Sequence, residues 1–215
     1  LRILANSRFT NDSRACGAIA TDWDSTLRTI EAGSLFIDCT ASTGVAGLYE
    51  SLLESGIGVV TANKIAGAGN ADRWSRLRRI AAHRAIPLRY ETTVGAALPI
   101  LRTARELTAT GDRLIALDAV LSGTISYILD RIHDGIDFSA AVAEAQTKGF
   151  TEPDPLIDLS GGDVAAKLVI LLRELGITLE TTDVRIESLA ITSDELWRAR
   201  ADHAAMHDKR LVFIA

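Results

Sequence analysis

Short apolar runs separated by helical patterns constrain this chain more than any other feature. Leu1-Arg2-Ile3-Leu4-Ala5, Leu35-Phe36-Ile37-Asp38, Ile57-Gly58-Val59-Val60 and Leu88-Arg89-Tyr90 read as strands, the first two buried. Helical spacing fills the gaps. It runs from near Asp24 to Ala32, from about Val45 to Glu54 with Gly56 as the stop, and from about Asp72 to His83. Strands alternating with helices at this spacing predict a parallel, doubly wound sheet.

The pattern changes after Tyr90. A helix is predicted over Gly95 to Thr110, with Pro99 tolerated near its first turn, then a strand over Leu114 to Leu121. Helices follow over Ile125 to Ile132, Ala140 to Lys148, an apolar stretch ending near Leu175, and a polar stretch from Asp194 to about His207. Leu211 to Ile214 begins a last strand, and a lone strand needs a partner. The fold class is therefore α/β: an incomplete Rossmann-type sheet over 1–90 and an α+β domain over 91–215.

At 215 residues the chain can bury one large core or two small ones. It is 47% hydrophobic and 24% charged, with a net charge of −5 and no basic run, so nothing points to nucleic acid. No apolar stretch approaches the ~20 residues that span a membrane. Cys16 and Cys39 lie far apart without a CxxC or a nearby His, which suits reduced thiols in a cytoplasmic protein. His203 and His207 stand four apart, but no carboxylate or third ligand of zinc type accompanies them, so a solvated helix face is the reading.

Open parallel sheets bind ligands beyond the C-terminal ends of their strands. Three polar tips fall there: Asn6-Ser7-Arg8, Cys39-Thr40-Ala41-Ser42 and Thr61-Ala62-Asn63-Lys64. Singly, each is ordinary loop chemistry; together they outline a nucleotide crevice. Asn6, Ser7 and Arg8 in place of an acidic residue suit a 2′-phosphate, which favours NADP(H) over NAD(H). No G-x-G-x-x-G occurs in the chain.

The densest chemistry lies in Gly149 to Leu172, GFTEPDPLIDLSGGDVAAKLVILL. A loop stiffened by Pro153 and Pro155 carries Glu152, Asp154 and Asp158. An apolar helix follows, interrupted in its first turns only by Asp163 and Lys167, which share a face. Such a pair is commonly a solvated ion pair. On a helix apolar nearly all round, the charges need partners or a task, and an amine among carboxylates is a candidate acid/base group.

The pattern G-F-T-E-P-D-P-x-x-D-L-S-G-x-D-x-x-x-K resembles the signature of homoserine dehydrogenases, in particular the form fused behind an aspartate kinase. Tyr90-Glu91-Thr92-Thr93-Val94-Gly95-Ala96-Ala97-Leu98-Pro99 and Leu121-Ser122-Gly123-Thr124-Ile125-Ser126-Tyr127-Ile128 carry the similarity further. The resemblance implies a nicotinamide-dependent interconversion of aspartate semialdehyde and homoserine, in threonine, methionine and isoleucine biosynthesis. It implies Lys167 as the proton-transfer residue, with Glu152, Asp158, Asp163 and Lys64 at the substrate. Asn6, Ser7, Arg8, Thr40, Lys64, Gly149 and Glu152 would meet the cofactor. Carbonyl oxygens of Glu91, Val94, Ala96 and Leu98 would hold sodium or potassium, although a Gly-bearing hinge is the plainer reading of that loop. It further implies a homodimer paired through a sheet of the second domain, a first strand and glycine-rich turn ahead of Leu1, and chain continuing past Ala215. A related nicotinamide-dependent amino-acid dehydrogenase and a non-catalytic module of the same fold are the alternatives.

Overall fold

The structure, a computed structural model, describes residues 3–5, 9–12, 19–20, 30–190 and 193–215, the first three stretches as backbone strands. The chain divides into two compact units, Leu1–Ile100 and Leu101–Ala215. That boundary falls ten residues beyond the position near 90 expected from the sequence.

In the first unit, β4 (Leu35–Asp38), β5 (Gly58–Thr61) and β6 (Leu88–Arg89) form a parallel sheet in that order. Its register sets Asp38 opposite Thr61 and Val59 opposite Leu88. The crossover after β4 is α1 (Thr43–Gly47) and α2 (Tyr49–Glu54), two short helices rather than the single one expected from Val45. The crossover after β5 is α3 (Lys64–Ala68) and α4 (Ala71–His83). Val45 on α1 and Tyr49, Leu52 and Leu53 on α2 are buried, as are Val59, Trp74 and Leu77 on β5 and α4, the elements against which α2 packs. Trp74 meets Tyr90 edge to face, with ring centroids 4.7 Å apart.

Two expectations fail here. The opening strand does not join the parallel sheet. β1 (Ile3–Ala5) pairs antiparallel with β2 (Phe9–Asp12), and β2 antiparallel with β3 (Ile19–Ala20). Antiparallel neighbours can be joined by a very short connection, whereas a parallel partner needs a crossover of a dozen residues or more. β1 therefore finds its ladder in the next segment. The placement of Asn6, Ser7 and Arg8 at a parallel-sheet tip loses its basis, and these residues lie outside the described ones, as do Cys16 and the helix expected from Asp24. The second correction is β4, which is not buried throughout. As the edge strand it leaves one face open, with Leu35 and Ile37 exposed, while Asp38 on the other face is buried.

In the second unit, α5 (Ile100–Ala109) starts immediately after Pro99 rather than at Gly95. Gly95 and Ala96 both have positive φ, +79° and +52°, which no helix tolerates. α6 (Gly123–His133) and α7 (Phe138–Thr147) form a hairpin on which α10 (Asp194–Met206) packs. Ile125, Ile128 and Ile132 of α6 meet Ala141 and Ala145 of α7 in the core. Phe138 stacks on Trp197 at 5.5 Å. α8 (Pro155–Leu159) and α9 (Gly162–Glu174) complete the unit.

The predicted strands at 114–121 and 211–214 are extended segments without a ladder. They touch through one pair of exchanged main-chain bonds, between Ala119 and Ala215, at 3.0 and 2.9 Å. The second alternates in exposure, with Leu211, Phe213 and Ala215 packed on the core and Val212 and Ile214 facing outward, and the first alternates only from Leu117 onward. No helix among the described residues is long and apolar enough to cross a membrane.

Candidate active site

The candidate residues fall in both units. In the first, the neighbouring ends of β4 and β5 are tied by one buried carboxylate. Asp38, 1% exposed, accepts from the Thr40 amide (2.7 Å), the Tyr49 hydroxyl (2.5 Å) and the Asn63 side-chain amide (3.1 Å). Tyr49 gives its only proton to Asp38, so the Thr61 hydroxyl, 2.7 Å away, donates to the phenol oxygen. The Thr61 oxygen in turn accepts from the Asn63 amide at 2.8 Å. Burial first, then the bond to Asp38, pushes the Tyr49 phenol above its ordinary pKa, so it stays protonated.

Asn63 carries the tie to both tips. Its amide nitrogen reaches the Ser42 carbonyl at 3.0 Å, and its carbonyl caps α3 at the Ile65 amide. Thr40 and Ser42 thus stand at one tip and Lys64, the first residue of α3, at the other. The main-chain amides of Thr40, Ser42, Asn63 and Ile65 already donate within the protein, so the Thr40 and Ser42 hydroxyls and the Lys64 amine are the groups the tips could offer a ligand. Cys39 beside them is a free, exposed thiol.

Sequence reasoning missed Asp38 and Tyr49. The available signal was a carboxylate ending an apolar strand, a threonine ending the next, and a tyrosine on an otherwise apolar helix face.

The loop expected to hold a cation follows β6 as a short 3-10 turn, Glu91–Thr93. Of its four nominated carbonyls, those of Glu91 and Leu98 each already accept a main-chain N–H, at 3.5 Å from Val94 and 2.8 Å from Ile100. A second lone pair remains on each. Gly95 packs tightly here: a Cβ built on it would stand 2.5 Å from the Ile100 side chain.

In the second unit, Gly149 at φ +71° ends α7 and turns the chain into the acidic loop. Asp154 caps α8, and Pro155 takes its first position. The Glu152 amide donates to Asp158 at 2.8 Å. Gly161, at φ +79°, turns the chain from α8 into α9 where a Cβ would stand 2.7 Å from Ile186.

Lys167 on α9 pairs with Asp163 at 2.7 Å and donates to the Leu121 carbonyl at 2.8 Å. α9 is covered nearly all round, as its sequence predicts, but the pair sits at its rim: the Lys167 side chain is 21% exposed and that of Asp163 42%. Glu152 thus lies with Asp158, and Asp163 with Lys167, on the two sides of the Ser160–Gly161 turn. The buried charges of α9 lie instead at its far end, where Arg173 reaches the Leu179 carbonyl and Glu174 meets Arg105. Among the described residues no group of three or more His, Cys, Asp or Glu is placed to hold a metal ion. His203 and His207 contact each other edge to face at 4.7 Å.

A parallel sheet followed in sequence by a unit presenting lysine and carboxylates is consistent with a dehydrogenase that has a separate NAD-binding domain, and the family matches place the chain in that class. Residues 1–91 match the family profile described as homoserine dehydrogenase, NAD binding domain, and residues 99–215 match homoserine dehydrogenase. The chain belongs to the homoserine dehydrogenase family. It is 46% identical over 155 residues to a chloroplastic bifunctional aspartokinase/homoserine dehydrogenase of Zea mays, covering 72% of this chain and 17% of that protein. The bifunctional enzyme of Haemophilus influenzae is 45% identical over 155 residues, covering 72% of this chain and 19% of that protein. The chain thus spans less than a fifth of the length of these relatives. Among solved structures, a Thiobacillus denitrificans homoserine dehydrogenase superposes with a TM-score of 0.72 at 26% identity, over 84% of this chain and 41% of that one. A Candida auris protein of unknown function superposes at 0.84 and 25%, over 100% of this chain and 71% of that one.

Proposed function

We propose that this chain supplies nicotinamide-side and substrate-side residues for the reversible oxidation of L-homoserine to L-aspartate 4-semialdehyde, in the pathway to threonine, methionine and isoleucine. The observation that carries the reading is Lys167, whose amine is held by Asp163 and the Leu121 carbonyl on the segment that also presents Glu152 and Asp158. When bound, the cofactor supplies or accepts the hydride. In the reducing direction Lys167 gives a proton to the oxygen that becomes the hydroxyl, and in the oxidising direction it takes that proton back. Glu152, Asp158 and Asp163 offer the substrate ammonium an anionic wall. Thr40, Lys64 and Gly149 meet the cofactor.

The finer parts of the reading belong to the same proposal. NADP(H) is the preferred cofactor, a reading left with the composition of Asn6-Ser7-Arg8, which holds no acidic residue, and without the place at a parallel-sheet tip that motivated it. Sodium or potassium binds the carbonyls of Glu91, Val94, Ala96 and Leu98, supported by the tight turn at Gly95. The protein is a cytoplasmic homodimer, with the outward face of the extended segments as the paired surface.

Turnover of homoserine with NADP and with NAD, on the whole natural protein, tests the reading. Reduction of NADP that depends on homoserine, at least as fast as with NAD, is the expected result. No turnover of homoserine with either cofactor overturns it and leaves a related nicotinamide-dependent amino-acid dehydrogenase or a non-catalytic module of the same fold.

A further inference from the structure

The loop from Gly149 to Asp154 carries Glu152, yet it is mostly exposed and contributes no residue to the core. Hydrophobic burial therefore does not locate it, and discrete ties must. Some are local: the Gly149 and Phe150 amides bond back to Gln146 and Ala145, and Gln146 reaches the Pro153 carbonyl at 3.1 Å. Those at Phe150 reach across the fold. Its carbonyl accepts from the Thr124 hydroxyl, and its ring meets Tyr127 edge to face at 5.0 Å.

Tyr127 is itself fixed. Its hydroxyl donates to Glu144 at 2.7 Å and accepts from Lys148 at 2.7 Å. The same carboxylate pairs with Lys148 at 2.8 Å and with Arg131 at 3.0 Å. One carboxylate on α7 thus gathers a phenol, an ammonium and a guanidinium. These lock the aromatic ring against which the first side chain of the substrate loop rests.

We infer that Glu144 and Tyr127 are positioning residues: together they fix Phe150 and, through it, set the place of Glu152 in the substrate pocket. The inference rests on the proposed reading of Glu152 as a substrate carboxylate. Neither residue takes part in the chemistry. Their loss lets the loop wander, and a displacement on the order of 1 Å at a binding group can cost up to roughly 100-fold.

The test compares Tyr127→Leu, Tyr127→Phe and Glu144→Ala in the whole natural protein. Two readouts are taken: steady-state constants for homoserine and cofactor, and amide hydrogen exchange at residues 150–152. Tyr127→Leu and Glu144→Ala are expected to raise the KM for homoserine roughly 10- to 100-fold. The rise should exceed any change in the KM for cofactor, most of whose contacts lie off this loop, and exchange at those amides should quicken. Tyr127→Phe, which keeps the ring but loses its bonds to Glu144 and Lys148, should raise the homoserine KM about as much as Glu144→Ala. Unchanged homoserine KM and unchanged exchange in the leucine and alanine variants overturn the inference. So does an equal loss for both substrates, which would mark a general structural role. If the wild type does not oxidise homoserine, the proposed function fails on its own, and the exchange measurement still decides whether Tyr127 and Glu144 hold the loop.

Discussion

The Tyr49 hydroxyl lies 2.5 Å from a carboxylate oxygen of Asp38, and both side chains are buried. This bond, with the Asn63 contact to the same oxygen, sets the spacing of the two tips beyond β4 and β5. Tyr49→Phe keeps the ring but removes a donor from Asp38 and a partner from Thr61. Unfolding in urea should show a loss of about 1–3 kcal/mol, the usual cost of leaving a buried polar group unpaired. Adding Asp38→Asn should cost less than the sum of the single changes, because the two residues share one network. Full additivity would show that they act separately.

Lys167→Ala should lower kcat about 10²–10⁴-fold, the span for loss of a general acid–base group. The pair with Asp163 sits at the rim of its helix, so the variant should lose no more than about 1 kcal/mol of stability. Lys167→Arg keeps the charge but holds its proton far more tightly, and should fold normally and remain slow. An arginine variant with wild-type kcat would show that the position acts by charge alone.

Lys148, then Tyr127 and Arg131, hold the Glu144 carboxyl down to about 2 from an ordinary 4.5. A carboxyl lowered by folding favours the folded state wherever it is ionised. Its contribution is therefore complete above about pH 4.5 and disappears as pH falls toward 2. Melting temperatures of Glu144→Gln and wild type should differ at pH 6 and converge near pH 2. A constant difference across that range would show that the carboxylate charge is not what Glu144 contributes.

Exchanging all sodium and potassium for a bulky organic cation at matched ionic strength should lower the activity of the whole protein. Gly95→Ala should abolish the response to potassium, since a Cβ at positive φ and 2.5 Å from Ile100 forces the loop to move. Rates indifferent to the cation would leave the loop as a turn between the units.

Val212 and Ile214 point outward from an extended segment while Leu211 and Phe213 pack inward. If this face pairs with a second copy, Ile214→Lys in the whole natural protein should convert a dimer into a monomer, read by sedimentation. A dimer that survives the substitution would place the contact elsewhere.

Much of this was legible in the chain, and the failures have physical causes. Most of the longer helices were located to within a few residues because their apolar positions recur at helical spacing and Ser122 and Ser193 cap two of their starts, whereas the five-residue helices α3 and α8 fall where loops were expected. The Asp163–Lys167 contact followed from a spacing of four on a helix. The parallel pairing of β4, β5 and β6 was legible, but the partner of the first strand was not. Leu1 to Ala5 has the composition of a buried parallel strand, yet pairing depends on which neighbour is within reach, and β2 is the nearer one. Asp38 and Tyr49 escaped notice for a related reason. Each is ordinary in its own segment, and only the register of β4 on β5 brings them together.

The Lys167 amine bonds to the oxygen of residue 121, an atom every amino acid possesses. No substitution at that position can delete the acceptor; it can only shift the backbone that carries it. Drift at Leu121 is thus buffered with respect to this bond, whereas a change of Asp163 to any residue without a side-chain oxygen removes its acceptor outright. Of the two anchors on the amine, one is exposed to the genetic code and the other is shielded from it, so variation among natural sequences should fall unequally on the two positions.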